Sequence, residues 1–206
     1  MRDDPLVADL VSACHKLAAI GLGTSTSGNV SARVGEQVFL TPTGVSMGDV
    51  AADHLAIADL EGNVRGSAKP TKEMGFHLAI YGMCPQVAAV VHAHPTCAII
   101  ASTFLEADAI LPAITPQFVM RAGRVPVAPY FPPGSPDLGD GVTARIGRNR
   151  AVLLQNHGAV TFGSSFKEAM GALEELEENC RQWLWTRQGG RVLSETEVTL
   201  LEGRRM

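Results

Sequence analysis

The sequence predicts a three-layer α/β/α sandwich with a central, mostly antiparallel sheet. Three observations lead there. Short, strongly apolar runs alternate irregularly with segments of helical periodicity, the turns between them are short, and no internal repeat breaks the pattern. The 206 residues fit a single domain over 1–206, long enough to bury a substantial core.

The elements can be justified in order. Leu6 to Leu22 carries Leu6, Leu10, Val11, Cys14, Leu17 and Ala18 at helical spacing and stops at glycines. A Gly/Ser/Thr stretch from Gly21 to Gly28 feeds the β-like run Asn29 to Arg33, and Gln37 to Thr41 forms a second strand closed by Pro42-Thr-Gly44. Leu55 to Leu60 and Asn63 to Arg65 flank Glu61-Gly62 as a hairpin. Thr71 to Met83 reads as a helix, with Pro70 or Thr71 at its start. Val87 to Val91 is apolar enough for a buried strand, and a helix from Thr96 to Phe104 follows it. Strands are expected at Arg124 to Ala128 and Ala151 to Leu154, with a helix from about Leu138 to Ile146 between them. Ser165 and Glu168 match a capping box for a long helix to Arg187, which Gly189-Gly190 ends, and a short helix starts at Ser194.

Composition narrows the function classes. Hydrophobic residues at 46% and charged residues at 18% exclude a disordered chain. A net charge of −4 offers no basic footprint for nucleic acid or an anionic membrane, so neither is expected as a partner. The start lacks the pattern of a signal peptide, and no run reaches the ~18 apolar residues of a spanning helix. Cys14, Cys84, Cys97 and Cys180 are widely spaced, as expected of small core residues in a reducing compartment. The expected location is the cytoplasm.

Val90-Val-His-Ala-His94 is the most informative segment. Side chains alternate along a strand, so His92 and His94 leave the same face about 6–7 Å apart along the chain and can converge on one cation. By itself the pair serves equally as half of a metal site or as two satisfied histidines at the rim of a core. A second apolar strand, in Leu153-Leu-Gln-Asn-His-Gly158, ends in His157 before a glycine that lets the ring turn into a cleft. Three imidazoles are the usual protein share of an open catalytic metal site. They suit zinc and other divalent first-row metals. His15, His54 and His77 lack such a setting and are expected on the surface.

Glu73 follows Lys69-Pro-Thr-Lys72 near a helix start, where the dipole favours an anion. It reads as a fourth ligand, a base, or a solvated first-turn glutamate. Thr71, the amides around it and Lys72 suit a phosphate, as do the small polar turns Ser27-Gly-Asn29 and Thr43-Gly44.

Taken together and in order, SGNVSAR, TPTG, KPTKE, VVHAHP and LLQNHGAV resemble the class II aldolase/adducin superfamily. The resemblance implies an α/β/α fold and a homotetramer with active sites at subunit interfaces. It implies that His92, His94 and His157 bind a divalent metal, usually zinc, with manganese or cobalt as alternatives. Glu73 would be the catalytic acid/base and a neighbour of the metal. Ser27, Gly28, Asn29, Thr43, Gly44 and Thr71 would hold a substrate phosphate. Within the family, KPTKE, Thr115-Pro116 with Val119-Met120, and Glu174 to Glu178 resemble the 3-oxo-tetronate 4-phosphate decarboxylases. Fuculose-phosphate aldolases carry two serines where Thr71-Lys72 stands, and the decarboxylases carry tyrosines where Gln117-Phe118 stands.

Both branches generate the enediolate of dihydroxyacetone phosphate, which a metal chelating the ketone and its neighbouring hydroxyl stabilises. A decarboxylase must also hold a carboxylate, for which Lys72 is a cationic partner; as a plain surface lysine it would have no such role. The expected function is therefore a metal-dependent carbon–carbon lyase acting on a small phosphorylated substrate. The alternatives are a ketose 1-phosphate aldolase, an aromatic dicarboxylate decarboxylase and a non-catalytic adducin-like interaction module.

Overall fold

In the computed structural model, residues 3–186 and 189–204 are described. The chain opens with α1 (Pro5–Ala19), where the Asp4 carboxylate accepts from the Leu6 N–H and Pro5 fills a position that needs no donor. There follow β1 (Asn29–Val34), β2 (Gln37–Leu40), β3 (Ala56–Asp59), β4 (Val64–Arg65), α2 (Met74–Met83), β5 (Ala89–Ala93), α3 (Thr96–Ser102) and α4 (Pro116–Ala122). The remainder comprises β6 (Val127–Ala128), α5 (Pro136–Thr143), β7 (Ala151–Leu154), β8 (Gly158–Gly163), α6 (Phe166–Thr186) and α7 (Glu195–Glu202).

The eight strands form one sheet in the order β4-β3-β2-β1-β5-β8-β7-β6. Every pairing is antiparallel except β6 with β7. Two buried clusters lie on its two faces. One joins α1, α3, α4 and α6 to Val30, Ala32, Val91 and Leu153; the other joins Phe76, Ile80 and Tyr81 of α2 and Leu138 and Val142 of α5 to Val38, Val90 and Val152. Val90 against Val91, and Val152 against Leu153, show the period of two that lets one strand serve both layers. The α/β/α sandwich and its mostly antiparallel sheet agree with the expectation from sequence.

The differences are local. The second helix begins at Met74 rather than Thr71, because the Thr71 N–H donates to the Thr41 carbonyl at 3.0 Å and residues 70–71 stay extended beside the end of β2. The expected strand from Arg124 shrinks to Val127–Ala128, and Arg124 instead binds Glu195, Thr199 and Glu202 of α7. The helix expected from Leu138 starts at Pro136 and ends at Thr143. Ser165 accepts from the Glu168 N–H, but the Glu168 carboxylate turns to the Ser164 N–H, so the reciprocal box forms at Ser194 and Glu197 instead. Helix α4 and strand β8 are additions to the sequence reading. Arg187 and the last two residues of the Leu201–Met206 tail lie outside the described residues.

Two close approaches fix the C-terminal end of β5. A Cβ on Gly158 would sit 2.4 Å from the Ala93 carbonyl oxygen, and one on Gly28, at φ +81°, would sit 2.7 Å from that of His92. Both neighbours are backbone and cannot step aside. Gly158→Ala is therefore expected to destabilise by about 1–3 kcal/mol, the usual scale of overpacking. Gly82→Ala, at an exposed helical position with open space, should stabilise by about 0.5–1 kcal/mol. Denaturant midpoints of the two variants check both signs.

Candidate metal centre and active-site cleft

His92 occupies the penultimate position of β5 and His94 follows the strand's last residue, so both leave the face that packs on α2. His157 sits in the turn between β7 and β8, after Asn156, whose backbone is left-handed at φ 55°. That conformation and the small Gly158 bring the third ring against the first two. The ring centroids are 4.8, 4.9 and 5.0 Å apart, and one nitrogen from each ring lies within 4.8 Å of the others.

Hydrogen bonding decides which atoms face the centre. His92 Nδ1–H donates to the Ala159 carbonyl at 2.9 Å, so in the neutral ring Nε2 presents a lone pair. That Nε2 lies 2.9 Å from His94 Nε2 and 3.3 Å from Glu73 Oε2. His157 Nε2 lies 3.5 Å from Glu73 Oε1. With the His92 Nε2 lone pair turned toward the Glu73 carboxylate, two acceptors lie side by side, an arrangement that a cation between them would satisfy. Glu73 Oε1 and His157 Nδ1 are both buried and lack a hydrogen-bond partner among the described residues. The donor set and the unpartnered atoms fit a divalent metal, with three imidazoles and a nearby carboxylate oxygen to hold it.

The electrostatics agree. Burial and the neighbouring His92 push His94 and His157 down to about 4, so both rings are neutral and available as ligands near neutral pH. Burial alone would raise the Glu73 carboxyl, but the adjoining His92, the Asn29 amide and His157 outweigh it and hold the group well below the usual carboxylate range.

The remaining expected residues gather around this centre. Ser27, Gly28, Asn29, Thr43, Gly44, Thr71, Lys72 and Glu73 line one cleft of about 360 Å³ together with His94 and His157. The hydroxyls are not equivalent. Ser27 donates to the Thr24 carbonyl and Thr43 to the Pro70 carbonyl, whereas Thr71 accepts from the Glu73 N–H. Asn29 is buried, and its amide donates to Glu73 Oε2 at 2.8 Å. Lys72 is exposed at the rim. Larger depressions exist, one of about 480 Å³ beside Arg148 and Arg150, but no comparable set of ligand atoms lies there among the described residues.

One reading needs correction. His77 is fully buried rather than on the surface, since α2 turns Phe76, His77, Ile80 and Tyr81 inward. Burial pushes its ring down to about 3. The four-residue spacing of Glu73, His77 and Tyr81 was the available signal. Phe118 turns from α4 into the core, and neither it nor Gln117 lines the cleft.

Known proteins share this arrangement of fold and motifs. The description Class II Aldolase and Adducin N-terminal domain matches residues 8–184. A 3-oxo-tetronate 4-phosphate decarboxylase of Haemophilus influenzae is 39% identical over 189 residues, 89% of this chain and 90% of the relative. An L-fuculose phosphate aldolase of Methanococcus maripaludis is 35% identical over 172 residues, 84% of this chain and 92% of the relative. The crystal structure of YgbL from Klebsiella pneumoniae superposes with a TM-score of 0.89 at 34% identity, covering 95% of this chain and 97% of that one. The decarboxylase and the aldolase are both carbon–carbon lyases by name, and this chain belongs to the class II aldolase/adducin family.

Proposed function

We infer that the chain is a divalent-metal-dependent carbon–carbon lyase that decarboxylates a 3-oxo-tetronate 4-phosphate to CO2 and dihydroxyacetone phosphate. One observation carries the reading. Three imidazole nitrogens face a buried carboxylate with an unpartnered oxygen, at the floor of a cleft walled by small polar turns. The names of the relatives at 35–40% identity support the substrate class.

His92, His94 and His157 would hold the metal, with Glu73 beside it. Zinc suits three neutral imidazoles, and manganese or cobalt accepts the same donors. When bound, the cation supplies Lewis-acid polarisation of the substrate's ketone and neighbouring hydroxyl. The chain's own residues do the rest. Glu73 Oε1 would be the acid/base, taking a proton from water and delivering it to the carbon that has lost CO2. Thr71, with the turns at Ser27-Gly28-Asn29 and Thr43-Gly44, receives the phosphate. Lys72 faces the substrate carboxylate from the rim.

The active assembly in this reading is a homotetramer with sites at subunit interfaces. Exposed Ile100, Phe104, Tyr130 and Trp185 support it, as apolar surface that a second copy would cover. The reading also places the enzyme in the cytoplasm, where four free cysteines are at home. No helix among the described residues is long and apolar enough to cross a membrane.

Protein loaded with zinc, and separately with manganese, is expected to release dihydroxyacetone phosphate from 3-oxo-tetronate 4-phosphate. His92→Ala should lose bound metal and lower turnover at least ~1,000-fold, the several kcal/mol that a Lewis acid contributes. Release from fuculose 1-phosphate alone would instead make the chain an aldolase. Metal binding with silence on both would exclude both phosphorylated substrates.

Lys72→Ala is expected to raise KM for the tetronate about tenfold, at the low end for a charge-assisted contact because the ammonium is exposed. Steady-state kinetics with kcat and KM both at the parental values would remove Lys72 from substrate recognition.

A further inference from the structure

Strand β1 and helix α2 meet through side chains whose spacings match. Residues two apart on a strand are separated by about 6.6–6.8 Å, and residues four apart on a helix by about 6 Å. Asn29, Ser31 and Arg33 on β1 therefore lie beside Glu73, His77 and Tyr81 at the N-cap and along the inner face of α2. Asn29 Nδ2 lies 2.8 Å from Glu73 Oε2, and His77 Nε2 lies 2.5 Å from Asn29 Oδ1. His77 Nδ1 lies 2.7 Å from Ser31 Oγ, which lies 2.9 Å from the Tyr81 hydroxyl. Arg33 closes the row by donating to the Tyr81 carbonyl at 3.1 Å.

The carboxylate sets the direction of this chain. Ionised Glu73 can only accept, so Asn29 must turn its NH2 toward it and its Oδ1 toward His77. That oxygen needs a donor, which places the imidazole hydrogen on Nε2. Nδ1 is then an acceptor, satisfied by the Ser31 hydroxyl, whose oxygen accepts in turn from Tyr81. Each donor between Tyr81 and Glu73 then has an acceptor, and the Ala88 carbonyl at 3.5 Å is a second one for the Tyr81 hydroxyl. Glu73 Oε2 is consequently taken by Asn29, while Oε1 stays without a hydrogen-bond partner among the described residues, 3.5 Å from His157 Nε2.

We propose that His77 is a positioning residue for the lyase reaction: by donating from Nε2 it locks the Asn29 amide, which holds Glu73 Oε2 and reserves Oε1 for proton transfer. The proposal rests on the reading of Glu73 as acid/base. It assigns a role to a histidine that lies outside the metal cluster and has no access to the cleft.

Two substitutions separate this role from packing. Glutamine carries its terminal amide at about the reach of an imidazole Nε2 and can still donate to Asn29, whereas asparagine ends near Nδ1 and reaches only Ser31. In zinc-loaded protein, His77→Asn is expected to lower kcat about 10–100-fold with KM little changed, the usual scale for a residue that orients a metal-site group. His77→Gln should restore most of that loss. Both variants should keep the parental metal stoichiometry and melt within a few degrees of each other. Crystal structures should retain the contact between Asn29 Nδ2 and Glu73 Oε2 in His77→Gln and lose it in His77→Asn.

Parental kcat in His77→Asn, an equal fall in both variants, or an unmoved Asn29–Glu73 pair in His77→Asn would each overturn the proposal. Should His77→Asn fail to fold, Ser31→Ala frees the Nδ1 end without touching the helix. It is expected to lower kcat in the same direction, and parental kcat there would overturn the proposal as well. If the parental enzyme turns over neither phosphorylated substrate, the lyase reading fails, while the crystallographic comparison still decides whether His77 sets the position of Glu73.

Discussion

Strand β5 is paired along both edges, to β1 through Asn29 opposite His92 and to β8 through Val160 opposite the same residue. A strand so held cannot slip by one residue without turning its whole side-chain set to the other face. Backbone at Gly28 and Gly158 presses on the last carbonyls of β5, closer than any side chain would allow. The site hangs on that constraint. His92 and His94 take their direction from β5, Asn29 from its neighbour on one side, and His157 from the turn leading into its neighbour on the other. Three distant stretches of chain thereby place their nitrogens together without any loop having to find its own conformation.

The electrostatics follow from the same crowding. Burying a carboxylate beside three imidazoles costs several kcal/mol of desolvation unless each group has a partner. Glu73 meets that cost in two ways. Its Oε2 is served by Asn29, and its Oε1 is left toward the histidine cluster. The imidazole nitrogens show the same division, since His92 spends Nδ1 on a backbone carbonyl and keeps Nε2 for the centre. One side of each group is consumed by the scaffold and the other is kept for chemistry. A centre built this way favours a cation, because Glu73 Oε1 is otherwise buried without a hydrogen-bond partner among the described residues.

Much of this was legible in the sequence, for identifiable reasons. An HxH at the end of an apolar run specifies its own geometry through the period of two, and a histidine–glycine pair after a second such run announces a turn. The limits are equally physical. Strand β8 was hidden because Gly158 looks like the end of an element when it is the start of one, and its alternation is masked by burial on both faces. Helix α2 starts three residues late because the backbone at Thr71 is claimed by Thr41, a contact 30 residues away. The spacing of Glu73, His77 and Tyr81 puts His77 on one face of the helix but does not say that this face is buried. Its meaning lies in the match between a four-residue helical step and a two-residue strand step, which appears only when β1 and α2 are side by side. Phe118 is the opposite case: a position singled out by comparison with relatives, which the fold sends into the core.

The division of labour bears on how such a site changes its reaction. Histidines and glutamate sit on or beside the sheet and its helix, where packing fixes them. Lys72, Ser27, Thr43 and Gly44 stand on turns at the cleft rim, and Lys72, Thr43 and Gly44 are exposed. Aldol cleavage and decarboxylation share the enediolate, so the interior has no reason to differ between them. What differs is the group leaving from the next carbon, a neutral aldehyde or a carboxylate that becomes CO2. Exchanging a serine for a lysine on a turn changes charge by one unit without disturbing a packed side chain. Residues of this kind tolerate substitution because little rests on them. Specificity in this fold can therefore move while the centre stays fixed.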